Sequence, residues 1–353
     1  MDKYDWGASE SAPGEYPMEI VTGKLIYKGQ NTGLYVPNEV FLQHRPWGRG
    51  RSTHVSGPEF KPLPERLEIK FFSYSENQFY VGSFELPYEK ILALFQKGYY
   101  SPDARSRWVL QNNDEYRKRH RKMGLADDHS PYDGMLVGIT PGGGVAVWAT
   151  GSGATTEIFF GQAEKADLDW RLIIDNPKYP REEYVREAVE DSLTPEALAA
   201  LQKNGIPFGL WQSYRVRYPW QPLFTGMAVR ESEGMELHSF NGERTRIDYP
   251  VAEVDMALTR VVPESMGFIW MQSDTKGLIF DLKFDEAEIF AAFKQLGSSQ
   301  QPLQLEMRMD PTTPTQEKLK FSVWLRNSSE AVELRKITYT NQKKDYSPSA
   351  DDQ

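Results

Sequence analysis

The chain has 353 residues, enough for two domains of ordinary size that each bury a core of their own. Its 39% apolar content, with 18 Tyr, 18 Phe and 9 Trp, describes aromatic-rich globular packing, and its formal net charge of −9 argues against a nucleic-acid surface, which needs a basic field over one face. Cysteine is absent, so disulfides, thiol nucleophiles and thiolate metal sites are excluded, and there is no run of about 18 apolar residues to span a membrane.

Along the chain, Met1 to Pro13 is polar and reads as a loose end, with neither the charged start nor the apolar stretch of a signal peptide. Phe71 to Gly98 reads as strand, polar turn, strand and a short helix. Pro87 suits that helix's first turn, Tyr88, Ile91, Leu92 and Phe95 share one face, and Gly98 stops it. Tyr99 to Tyr132 holds the densest charge run, RKRHRK at Arg117 to Lys122. MLVGIT and VAVWAT then read as strands around the glycines of TPGGG. PREEYVREAVEDSL and TPEALAALQKNG read as two connector helices, the second capped by Thr194, with Pro195 at its first position and Asn204-Gly205 at its end. Lys343 to Gln353 reads as a loose tail.

The second half repeats the first in outline. Phe71 to Gly98 lies without gaps over Ile269 to Leu296, where Asp285 caps a helix and Glu288 completes a capping box. Val147 to Ile158 lies over Val323 to Leu334, with Trp148 on Trp324 and Glu157 on Glu333. A third block places Trp6 on Trp211, Tyr16-Pro17 on Tyr218-Pro219 and Thr22-Gly23 on Thr225-Gly226. The offset falls from 198 at Ile91 and Ile289 to 176 at Trp148 and Trp324, which leaves 22 extra residues in the first copy, within Tyr99 to Tyr132. The expected fold is α+β: two tandem copies of a mainly antiparallel-sheet module with one packed helix each, at 1–160 and 207–342, joined by a helical connector at 161–206 and followed by a disordered tail at 343–353.

No catalytic residue, metal or cofactor is assigned. Strands flank the glycines of TPGGG, so a hairpin turn is expected there and not a phosphate loop, which needs a following helix. Ser152 lacks the spacing of a nucleophile elbow, none of the five histidines forms an i, i+4 zinc pair, and Asp127 to His129 reads as a turn. Asp167 with Asp169 and Glu182 with Glu183 read as solvated carboxylates. The residues expected to meet a partner are Arg117, Lys118, Arg119, Arg121 and Lys122 in the insertion, with Trp47, Arg49 and Arg51 in the loop HRPWGRGR, because basic and aromatic side chains together are enriched where proteins bind proteins. A solvated helix face is the plain alternative for the charge run.

YDWGASESAPGEYPMEIVTG, LPERLEIKFFSYSENQFYVGSFELPYEKILALF and the glycine turn with VWATG resemble the bacterial family of uncharacterised domain 2931. The likeness runs from Tyr4 to about Phe160 and is most specific at Ser73 to Pro87. It implies a periplasmic envelope lipoprotein whose signal and lipidated cysteine have been removed, with the membrane reached only through that anchor. For part of the family it also implies an immunity protein that neutralises a secreted antibacterial effector. The two-module arrangement is similar to clamp-shaped immunity proteins of type VI lipase effectors. The expected function is therefore an inhibitor, not an enzyme, whose partner is a bacterial toxin effector whose active site it covers. The alternative is a periplasmic binding protein for a small or polysaccharide ligand, with Trp47, Trp211 and Trp220 as stacking platforms.

Overall fold

The computed structural model describes residues 3–38, 41–43, 46–50, 57–101, 114–126, 128–176, 179–226, 235–247, 258–273, 276–297, 301–309 and 321–345. The fold is α+β and mostly sheet. It divides into two compact units, Met1–Ser213 with Asn241–Glu243, and Tyr214–Phe240 with Arg244–Gln353.

The first unit contains β1 (Lys3–Asp5), β2 (Gly7–Ser11), β3 (Met18–Tyr27), β4 (Gly33–Tyr35), β5 (Phe41–Leu42), β6 (Phe60–Pro62), β7 (Pro64–Ser73), β8 (Gln78–Glu85), α1 (Tyr88–Lys97), β9 (Tyr99–Tyr100), α2 (Asp114–Met123), β10 (His129–Ser130), β11 (Gly134–Ile139), β12 (Gly144–Thr150), β13 (Thr155–Gln162) and β14 (Glu164–Ala166). The helices α3 (Arg181–Ser192), α4 (Pro195–Asn204) and α5 (Leu210–Ser213) follow. One sheet has the order β14-β8-β7-β3-β4, all antiparallel. In the other, β2-β11-β12-β13, only the β2–β11 pair is parallel, as a connection passing through a helix permits. Leu67, Ile69 and Phe71 from the first sheet share one core with Met135, Val137, Val145 and Val147 from the second, and with Ile91 and Phe95 of α1.

The second unit contains β15 (Arg217–Thr225), β16 (Met235–Ser239), β17 (Arg244–Ile247), β18 (Thr259–Val261), β19 (Pro263–Ser273), β20 (Lys276–Lys283), α6 (Glu286–Gly297), β21 (Leu303–Met309), β22 (Phe321–Arg326), β23 (Ala331–Leu334) and β24 (Thr338–Asp345). Its sheets run β24-β20-β19-β16-β17 and β18-β15-β21-β22-β23, and again the only parallel pair described, β15–β21, joins the unit's first strand to the strand that follows its helix. Its core gathers Met266, Phe268, Leu278 and Phe280 with Leu303, Leu305, Val323 and Leu325 around Ile289 and Phe293.

The helix signals behave as their chemistry requires. Gly98, at φ 69, donates to the Leu94 carbonyl, and Thr194 Oγ1 accepts from Ala197 N–H at 3.2 Å. Asp285 Oδ1 accepts from Glu288 N–H at 2.9 Å, but the reciprocal half of the capping box is not made. Glu288 instead accepts from the Arg335 and Lys336 amides at 3.0 and 2.8 Å, backbone donors just beyond β23.

Four expectations need correction. Residues 3–13 are not loose: Tyr4, Trp6 and Ala8 are buried, and their spacing of two residues, diluted by polar neighbours, is that of a half-buried strand. Residues 343–345 of the expected tail belong to β24, which pairs with β20 as far as Asp345, and the rest of it lies outside the described residues. The stretch 161–206 opens with β14, an edge strand of the first unit, and α3 packs Val185 against Phe72, Tyr74 and Phe79 of the first unit's sheet. Finally, the residue in Trp6's ladder position is Trp220 and not Trp211. Lys3 pairs with Pro62 and Trp6 Nε1 donates to the Pro62 carbonyl; Arg217 pairs with Val261 and Trp220 Nε1 donates to the Val261 carbonyl. Tyr-x-Trp stands at both places, within β15 and across the end of β1.

Candidate protein-binding surface

The insertion of the first unit is an excursion closed at its base. Tyr99 and Tyr100 of β9 pair antiparallel with Ser130 and His129 of β10, and the helix α2 lies between. His120, 2% exposed, turns inward, and its Nε2 lies 2.8 Å from the His129 carbonyl oxygen. Leu125, just past the helix end, is buried as well. This anchor leaves Lys118 and Arg121, three residues apart on one face, exposed, while Arg117 is half-buried and pairs with Asp114 at 3.1 Å. Arg119 and Lys122 belong to the same helix, but their side chains lie outside the described residues, as does Arg51. The charge run is thus a helix with a buried histidine in its middle. Sequence reasoning grouped His120 with its basic neighbours and missed that it is the anchor; a 3.6-residue period applied to the run would have separated it from Lys118 and Arg121.

The other expected contact residues, Trp47 and Arg49, sit in a tight turn closed by Arg49 N–H donating to the Pro46 carbonyl at 3.2 Å, and both are half-buried. Trp47 lies edge-on to the fully buried Trp148 with ring centroids 4.8 Å apart. Gly138 makes room for both rings, since a Cβ there would come within 2.7 Å of each. Trp47 therefore covers the outer face of β11 and β12 and offers a partner only part of its ring.

The glycine cluster is the expected hairpin turn. β11 and β12 pair through it, Gly142 and Gly143 have φ of 80 and 91, and Gly142 N–H donates to Glu76 Oε2 at 2.9 Å. Asp167, Asp169, Glu182 and Glu183 are exposed; the Arg171 side chain beside Asp169 holds that carboxyl down at about 2. His129 Nδ1 meets Asp128 at 2.8 Å, and among the described residues no three His, Asp or Glu side chains are grouped for a metal ion. On the outer face of the first unit's sheet, an open groove of about 640 Å³ runs over β4, β3, β7 and β8, with Tyr35, Lys24, Glu68 and Lys70 along it.

A family profile described as "Protein of unknown function (DUF2931)" matches residues 1–209. The chain belongs to the DUF2931 family. No curated protein and no solved structure matches it. The DUF2931 segment ends within a few residues of Ser213, where the main segment of the first unit ends, so α3 and α4 fall inside it. The packing agrees: the Arg181 guanidinium of α3 lies 5.3 to 5.4 Å from the ring centroids of Phe72, Phe79 and Trp170 and donates to Asn77. The basic helix, the Trp47 turn and the groove all lie within the DUF2931 segment, whereas the second unit lies beyond it.

Proposed function

We propose that the protein is a binding protein made of two copies of one module, and that helix α2 of the first copy meets an acidic protein partner. The duplication is supported by ladders that agree strand for strand. Ser9 pairs with Leu136, Leu136 with Trp148 and Trp148 with Glu157; in the second unit Leu223 pairs with Glu306, Glu306 with Trp324 and Trp324 with Glu333. The gap-free overlay of the hairpins slips at the turn, which has four residues between Ser73 and Gln78 and two between Ser273 and Lys276, and again at the irregularity between Met271 and Ser273.

The observation that carries the binding reading is α2 itself. It is a basic helix in an acidic chain, anchored at His120 and presenting Lys118 and Arg121 outward, on an insertion between α1 and β11 for which the second unit has only 298–302. A cationic helix on a rigid base suits the electrostatic capture of an acidic surface. The family resemblance supports the finer reading: an inhibitor or immunity protein of the periplasm, carried there by a lipid anchor, that covers the active site of a secreted antibacterial effector such as a type VI lipase. Co-expression with a candidate secreted toxin encoded by a neighbouring gene tests this. Rescue of survival with a co-purifying complex is expected; neither rescue nor complex overturns the reading.

The rival reading, a receptor for a small or polysaccharide ligand, cannot use its first platforms, since Trp211 and Trp220 are 4% and 1% exposed. The groove beside Tyr35, itself 44% exposed, is what favours it instead. Ligand-detected NMR with a panel of oligosaccharides tests it: loss of a signal on Tyr35→Ala is expected, and no signal from any member overturns it.

A further inference from the structure

The outer face of the second unit's β18-β15-β21-β22-β23 sheet carries an arrangement that the first unit lacks. At the ladder positions of Leu136, Gly138 and Trp148, which are covered by Trp47 in the first unit, stand Glu306, Arg308 and Trp324. Glu306 is 2% exposed and accepts from Thr225 Oγ1 at 2.7 Å and from Arg308 Nη2 at 3.1 Å, with Arg326 Nε 3.5 Å away. One buried carboxylate thus fixes two guanidiniums side by side, and their side chains are 50% and 37% exposed. Arg308 lies 5.5 Å from the centroid of the half-buried Trp324 ring, and Arg326 Nε also donates to Gln304 at 3.0 Å. Both Nη groups of Arg326 and Nη1 of Arg308 are donors without a partner among the described residues.

We infer that Arg308, Arg326 and Trp324 form a second docking surface, which takes a carboxylate side chain of an acidic protein partner between the two guanidiniums. A guanidinium held in place by its Nε edge presents its free Nη edge at little entropic cost, and carboxylates match that fork. An arginine pair beside a half-buried tryptophan is also the composition of a protein-binding hot spot. The local charge selects the occupant. Two guanidiniums over one carboxylate leave a single net positive charge, and Glu333 pairs with Trp324 on the neighbouring strand. That matches one carboxylate on a protein and is too little for a polyphosphate or sulfated chain, which needs a continuous basic field. The inference rests on the reading of this chain as a protein binder and adds a contact in the second unit, outside the DUF2931 segment.

The test titrates the full chain into a fluorescein-labelled decaglutamate peptide and follows anisotropy. Arg308→Ser with Arg326→Ser is compared with Lys118→Ser with Arg121→Ser, and Arg326→Gln is added because it leaves Glu306 its Thr225 and Arg308 partners. At least tenfold weaker binding is expected for the double arginine variant and at least threefold for Arg326→Gln. Unchanged binding in Arg326→Gln, or no binding by the unaltered chain, overturns the inference. Loss only in the Lys118 and Arg121 variant would place the peptide on α2, which sinks this surface and leaves the binding reading standing. Equal or tighter binding of a heparin pentasaccharide through the same arginines would make the site a general anion site and also overturn it.

Discussion

The Trp6 indole donates to the Pro62 carbonyl at 3.3 Å while the Trp6 carbonyl accepts from Lys61 Nζ, so one tryptophan is tied at both its side chain and its backbone. Trp220 repeats the arrangement, donating to Val261 at 3.0 Å and accepting from Arg260 at 2.9 Å. Lys61 and Arg260 each also donate to the carbonyl two residues before them, Glu59 and Leu258. Lys61 is 3% exposed, and burial pushes its pKa down against the charges of Asp5 and Glu59, so its ammonium stays buried only because these carbonyls receive it.

Both tryptophans are 1% exposed core residues, so Trp6→Ala and Trp220→Ala should each cost about 3–5 kcal/mol, the range for removing a large buried aromatic. Urea unfolding with hydrogen exchange checks this. Loss of protection concentrated in the unit that carries the substitution is expected; equal loss in both would show that the units do not fold as separate cores.

Removing the cation beneath α3 should loosen that helix without unfolding its sheet. Arg181→Ala gives up contacts to three rings and two hydrogen bonds to Asn77, together about 2 kcal/mol. Amide exchange across Arg181–Ser192 should quicken by more than tenfold while β7 and β8 keep their protection.

For the basic helix, changing Arg117, Lys118, Arg119, Arg121 and Lys122 to Ser should weaken binding to the proposed acidic partner at least tenfold and leave the melting temperature within a few degrees. His120→Ala should do the converse, costing about 1–3 kcal/mol because the His129 carbonyl loses its partner. Unchanged affinity in the five-residue variant would make the helix face a solvated one.

Acid sensitivity should trace in part to Glu236, whose carboxyl is brought from 4.5 down to about 2 by the hydrogen bond from His238 and by Arg244. Because the folded carboxyl binds its proton less readily than the unfolded one, its contribution is complete above pH 4.5 and is lost as pH falls towards 2. Glu236→Gln should therefore be less stable than the unaltered chain at neutral pH and converge with it near pH 2, as read from denaturation midpoints. A constant gap across that range would contradict the assignment.

Local chemistry alone determined a good deal: the α1 and α4 boundaries and the glycine hairpin. Each depends on residues close in sequence, such as Thr194 bonding to Ala197 or Gly98 to Leu94, so pattern and capping chemistry sufficed. Family membership was legible for the same reason, in the run from Ser73 to Pro87. Only tertiary structure decided that Trp6 and Trp220 are bonded alike, because their indoles donate to carbonyls 56 and 41 residues away. The same holds for His120 as an anchor and for α3 as part of the first unit. The arginine pair over Glu306 arises because strand pairing brings Arg308 and Arg326 to one face, and no spacing along the chain encodes that meeting.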